Sequence, residues 1–120
     1  MAKLNETQST MLKQLGSLNP IWRGEFGVEV VVIMDENTLR FPMKFGRHKV
    51  NFDLTYDFED DLYNAKAYNV SDFMKQFKGF GPPTEEEWAE ATRKTTILDV
   101  KGIFWDQLID EMREVAKKFP

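Results

Sequence analysis

The chain's one histidine, His48, lies in a basic turn with Lys44, Arg47 and Lys49. A histidine base needs a nucleophile within reach and a further group to orient its ring. The chain has no cysteine, and none of its serines stands in a nucleophile motif. A zinc site would need more histidine or cysteine ligands than one. His48 therefore reads as a turn residue. The sequence sets out no catalytic residue, no metal-ligand set and no cofactor loop.

Charge gathers in two other places, and in that same turn together with Arg40. Asp57, Glu59, Asp60 and Asp61 crowd one turn, but without the alternating acids, central glycine and distant glutamate of an EF-hand loop. Glu85, Glu86, Glu87 and Glu90 suit the positive end of a helix. Both acidic groups read as solvated charge. The cations Arg40, Lys44, Arg47 and Lys49, with His48, form the one cationic cluster without interleaved acids. On a hairpin end they could hold about two or three phosphates. The other route to recognition is an aromatic anchor. Trp22 lies outside the regular pattern beside Arg23, and Trp88 sits among glutamates, so these two are the expected exposed contacts. Trp105 starts an apolar helical stripe and is expected in the core.

At 120 residues the chain reads as a single domain spanning residues 1–120, able to bury a core without staples. Its net charge of -4 favours solubility and argues against non-specific nucleic-acid binding. Ten phenylalanines, three tryptophans and three tyrosines leave a surplus for a contact patch beyond the core. Lack of cysteine fits a reducing cytoplasm. The polar N-terminus carries no signal-peptide pattern, and the longest apolar run, Val30 to Met34, is too short to span a bilayer.

These residues must be positioned by helices and strands that the periodicity predicts. A first helix covers 5–15, with Asn5 and Gln8 at capping-box spacing and Gly16 as its stop. A first strand covers 25–34, with Phe26, Val28, Val30, Val32 and Met34 on one side. Val31 and Ile33 on the other side need cover from the N-terminal helix or a second subunit. This strand is expected in the sheet interior, or with its far end covered by another element, because an exposed apolar edge invites aggregation. Leu39, Phe41, Met43 and Phe45 mark a second strand. Pro42 puts that strand at an edge or a bulge and makes the simple order 1-2-3-4 doubtful. Val50, Phe52, Leu54 and Tyr56 mark a third strand, and Leu62 to Val70 a fourth. Ser71 caps a short helix with Phe73, Met74 and Phe77, ended by Gly79. Thr84 and Glu87 form a capping box for a helix ending near Arg93. Thr95 to Val100 can add a fifth strand. A last helix runs from Ile103 to Phe119.

Three segments resemble a group of small uncharacterised proteins of bacteriophages and other mobile elements, over about residues 39–115. They are Phe45-Gly46-Arg47-His48-Lys49-Val50-Asn51-Phe52, Asp61-Leu62-Tyr63, and Gly102-Ile103-Phe104-Trp105-Asp106-Gln107-Leu108. The segment with Gly81-Pro82-Pro83 and the Thr84 helix departs from that group's pattern, and residues 1–35 match nothing in it. The resemblance implies a mobile-element origin and a bacterial cytoplasm. It carries over no activity and no functional residues.

The expected fold is α+β: an antiparallel sheet of four to five strands with helices packed mainly on one face. Phe26, Val28, Val30, Val32, Leu39, Phe41, Val50, Phe52 and Leu54 should face Trp105, Leu108, Ile109, Met112 and Phe119. The expected function is non-enzymatic: a cytoplasmic, protein-binding modulator, monomer or homodimer, acting on a host or phage macromolecule. The alternative is nucleic-acid binding through the turn Lys44–Lys49. No membrane partner is expected.

Overall fold

Residue alternation along most of the chain's middle is expressed as a pleated sheet, in the computed structural model that describes residues 4–75 and 81–119. Strands β1 (Val32–Asp35), β2 (Thr38–Phe45), β3 (His48–Asp57), β4 (Leu62–Asn69) and β5 (Thr96–Ile103) form one antiparallel sheet in the order β1-β2-β3-β4-β5. Opposed pairs Leu39–Leu54, Phe41–Phe52 and Met43–Val50 put their side chains on an inner face, continued by Ala65 and Ala67 of β4. Three helices cover that face: α1 (Glu6–Leu18), α2 (Trp22–Glu25) and α5 (Leu108–Ala116). They bring Met11, Leu15, Trp22, Leu108, Met112 and Val115 into the same apolar core. The remaining two, α3 (Val70–Lys75) and α4 (Glu85–Thr95), lie over the opposite, outer face. There Phe73, Trp88 and Thr92 border a cleft shared with Arg40, Asp53, Lys66 and Tyr68. Among the described residues no helix is long and apolar enough to cross a membrane.

Local chemistry accounts for the helix starts. Asn5 and Gln8 form the capping box expected of them, and so do Thr84 and Glu87. Gly16, however, does not stop α1. The apolar face continues to Leu18, which packs on the core, and Asn19-Pro20 ends the helix instead. Asn69, not Ser71, caps α3, accepting from Asp72 N at 3.0 Å. Phe77 and Gly79 lie outside the described residues. The last helix opens with a 3-10 turn, Trp105–Gln107, before α5. The buried stripe starts at Leu108, and Trp105 is 48% exposed rather than core.

The expected first strand is the largest correction. Residues 22–25 are helical, and the strand begins only at Val32. Between them Gly27 adopts φ +64°, packed so close to β2 that an added Cβ would stand 2.8 Å from the Lys44 carbonyl oxygen. The Arg23 guanidinium then bonds the carbonyls of Val28 (3.4 Å) and Glu29 (2.7 Å). Phe26 and Val28 still reach the core, but the alternation reverses across this irregular stretch. Val31 and Ile33 pack inward, while Val30, Val32 and Met34 are exposed, Val30 by 57%. β1 is thus a short edge strand, not an interior one. Its ladder with β2 runs only over Val32–Arg40, Ile33–Leu39 and Asp35–Thr38. Pro42 lies beyond the end of that ladder, so β2 is an edge there and the simple meander accommodates it.

Candidate functional site

Three surface regions collect the residues that could recognise something. The first is the end of the β2–β3 hairpin. Phe45 pairs with His48 across a two-residue turn, with Gly46 at φ +63° in the first central position, as a type II′ turn requires. The next pair inward is Lys44 opposite Lys49. Like charges directly opposed across a ladder repel, and neither lysine, nor Arg47, has an ion-pair partner among the described residues. His48 packs its ring 4.8 Å from Phe119, which also stacks on Phe45 at 5.4 Å. Among the described residues it makes no hydrogen bond to a carboxylate or hydroxyl.

Arg40 does not join this cluster. It pairs with Asp53 directly across β2 and β3, donating from Nε at 2.7 Å and from Nη2 at 3.0 Å. Its guanidinium also lies 5.7 Å from the centre of the Tyr68 ring. The bond to Asp53 raises the Arg40 pKa above its ordinary value. An arginine held on two oxygens of one carboxylate is already committed. Arg40 thus stands apart from the hairpin-end cations Lys44, Arg47 and Lys49.

The second region is the outer face. Tyr68, Phe73 and Trp88 form a chain of rings, with centres 5.4 Å and then 4.9 Å apart. Trp88 is 54% exposed, and Met34 of the β1 edge borders the same cleft of about 290 Å³. Beyond Met34 the edge continues through Val32 and Val30, and no strand pairs with its outer side among the described residues. Trp22 takes no part in this surface. It is 5% exposed, packed edge-to-face on Phe41 at 5.1 Å and 67°, and is a core residue rather than an exposed anchor. Its local signal, an aromatic outside any regular pattern, came from a short helix that four residues cannot advertise by periodicity.

The third region, a groove of about 420 Å³, lies where the start of α1 meets the β3–β4 turn. Tyr56, Phe58 and Tyr63 line it together with Glu6, Gln14 and Asp61. The Tyr56 hydroxyl donates to Asp61 and the Tyr63 hydroxyl to Gln14. That bond to Asp61 raises the Tyr56 pKa, and burial pushes the Tyr63 phenol up to about 12. The acidic turn is therefore more than a solvated loop, since Asp61 turns back onto the aromatics. Its other acids do not converge: among the described residues no three such side chains are placed to hold a metal ion. Phe58, an aromatic among four acids in a turn, was the signal for this groove.

Comparison with protein-family models, with curated proteins and with solved structures finds no match for the chain.

Proposed function

We propose that this chain is a non-enzymatic binding protein that takes a protein partner on the β1 edge and the adjoining cleft of Trp88. One observation supports this above the others: Met34 and Trp88 border a single cleft, in line with the exposed Val32 of an unpaired edge strand and with exposed Val30 just before that strand. An edge of this kind offers backbone donors and acceptors to an added strand, and alternate side chains then set specificity. Exposed Glu29, Asp35 and Glu36 bracket the apolar stretch. The complementary partner segment is extended, apolar at alternate positions and flanked by cations. A second copy in antiparallel register would oppose Glu29 to Asp35 and Glu36, which like charges disfavour. The test is affinity capture from native cells with wild type and the Val32→Lys/Trp88→Ala variant side by side. A protein retained by wild type and lost by a folded variant supports the reading. Identical sets of retained proteins would refute it.

The repelling pair Lys44 and Lys49, with exposed Arg47, favours a second reading in which the hairpin end meets nucleic-acid phosphates. Neutralising n phosphates gives a binding constant that falls with salt in proportion to n. The charge-reversed variant Arg47→Glu/Lys49→Glu should then flatten the salt slope by about two units. Gel shift with DNA and RNA at low salt is the assay, and no shift at micromolar protein removes this reading.

A further inference from the structure

The groove between α1 and the β3–β4 turn has a composition that neither binding surface above shares. Its walls include three aromatic rings set steeply to one another. Tyr56 and Phe58 have centres 4.9 Å apart at 88°, and Tyr56 and Tyr63 are 5.3 Å apart at 62°. Two carboxylates, Glu6 and Asp61, open on the same space, and among the described residues no lysine or arginine borders it. Neither carboxylate is ion-paired with a base among the described residues.

Each part of that combination selects for positive charge. Aromatic faces attract cations through their quadrupoles, best where several rings bound one space. Carboxylates add Coulomb attraction and accept N–H donors. Asp61 spends one oxygen on the Tyr56 hydroxyl, and its second oxygen is not used in any hydrogen bond among the described residues. The hydroxyls of Tyr56, Tyr63 and Thr10 are turned to Asp61, Gln14 and the Glu6 carbonyl, while carboxylate oxygens remain open as acceptors. An anion would meet two carboxylates and, among the described residues, no base. A neutral apolar ligand would have to desolvate both carboxylates without replacing their water. The volume lies within the range of small-molecule sites.

We propose that this groove binds an organic cation bearing N–H donors, of the guanidinium or primary-ammonium class. The planar or compact cationic head packs against Phe58 and Tyr56, and its N–H groups donate to Asp61 and Glu6. Such a head can belong to a free small molecule or to an arginine or lysine side chain of a peptide.

Titration of the full chain with butylguanidinium, followed by amide chemical shifts, is the experiment. Saturable shifts centred on Glu6, Phe58 and Asp61, with a dissociation constant on the order of 1 mM, are expected. Butylurea, which keeps the shape and loses the charge, should bind at least about tenfold more weakly. Asp61→Asn keeps a residue that tolerates the φ of 53° found there. Phe58→Leu changes a side chain that is largely exposed. Each should weaken binding roughly fivefold while leaving the folded spectrum intact. An acetylated Gly-Arg-Gly amide distinguishes the sources: tighter binding than butylguanidinium assigns a peptide side chain, and weaker binding a free small cation. Equal shifts with butylurea, unchanged affinity in both variants, or no saturation by tens of millimolar would each overturn the proposal.

Discussion

Gln8 joins the first helix to the first hairpin through Asp35, its Nε2 donating to the Asp35 carbonyl at 2.7 Å. The same side chain accepts from Asn5 N through Oε1 at 2.8 Å, closing the capping box. Asn5 adds a parallel tie, donating from Nδ2 to the Glu36 carbonyl at 2.9 Å. One buried amide therefore ends a helix and fixes where β1 turns into β2. Glutamate is the usual residue at this capping position, yet a carboxylate has no proton to give the Asp35 carbonyl. Gln8→Glu should destabilise the fold by about 1–3 kcal/mol at neutral pH. It should recover stability in acid, where the protonated side chain can donate. Urea unfolding at both pH values measures this, and a variant as stable as wild type at neutral pH would dissolve the tie.

Gly27 is the close approach that brings the chain alongside β2. Its φ of +64° and the 2.8 Å separation of an added Cβ from the Lys44 carbonyl act together. Gly27→Ala should lower stability by about 2 kcal/mol or more, because backbone strain and overlap with main chain cannot both relax. Gly16, in open space in the last turn of α1, is the comparison: Gly16→Ala should stabilise by up to about 1 kcal/mol. Thermal melts of the two variants should move in opposite directions.

Val30→Asp is expected to fold, with a stability change of about 0.5 kcal/mol or less, as at other exposed positions. Leu39→Asp is expected not to accumulate as soluble protein, since it would bury an unpaired carboxylate in the inner core. Circular dichroism and soluble yield separate the two outcomes. An unfolded Val30→Asp variant would show that the outward orientation of the edge is wrong.

Tyr63 sets an alkaline limit. Its phenol ionises near 10 in the unfolded chain and at about 12 when buried. The fold therefore favours the protonated form. The stability this supplies is complete below pH 10 and is lost as pH rises through about 12. Absorbance at 295 nm should show one of the three tyrosines titrating last, and Tyr63→Phe should remove that final step. Three tyrosines ionising together near 10 would contradict the burial.

Much of the sheet was readable because its inner face repeats every second residue along β2 from Leu39 to Met43 and again along β3 from Val50 to Leu54. A strand from 25 to 34 was not, because its alternation is real at both ends but changes phase in between. Gly27 and the Arg23 contacts to two carbonyls cause that change, and neither leaves a mark on hydrophobic periodicity. Trp22 and Trp105 exchanged roles for a related reason: each lies in a helical segment of four residues or fewer, too short to show a face. The basic turn was visible as a cluster, whereas the removal of Arg40 from it required the cross-strand register that opposes Asp53. The aromatic groove joins residues 6 and 63, a proximity that only the packing of α1 on β4 creates.

Division of the helices between two faces has a dynamic consequence. Among the described residues, the inner apolar cluster draws nothing from α3 or α4; Phe73 and Ala91 are buried but stand apart from it. Lifting that pair of helices would expose the ring chain from Tyr68 to Trp88 while leaving the inner core closed. Regions that can open separately exchange their amide hydrogens by a cheaper route than global unfolding. Deuterium should therefore enter α3 and α4 well before β2 and β3, which exchange only when the whole domain opens. That order of exchange would mark the outer layer as a cooperative unit of its own, carried on a sheet that closes without it.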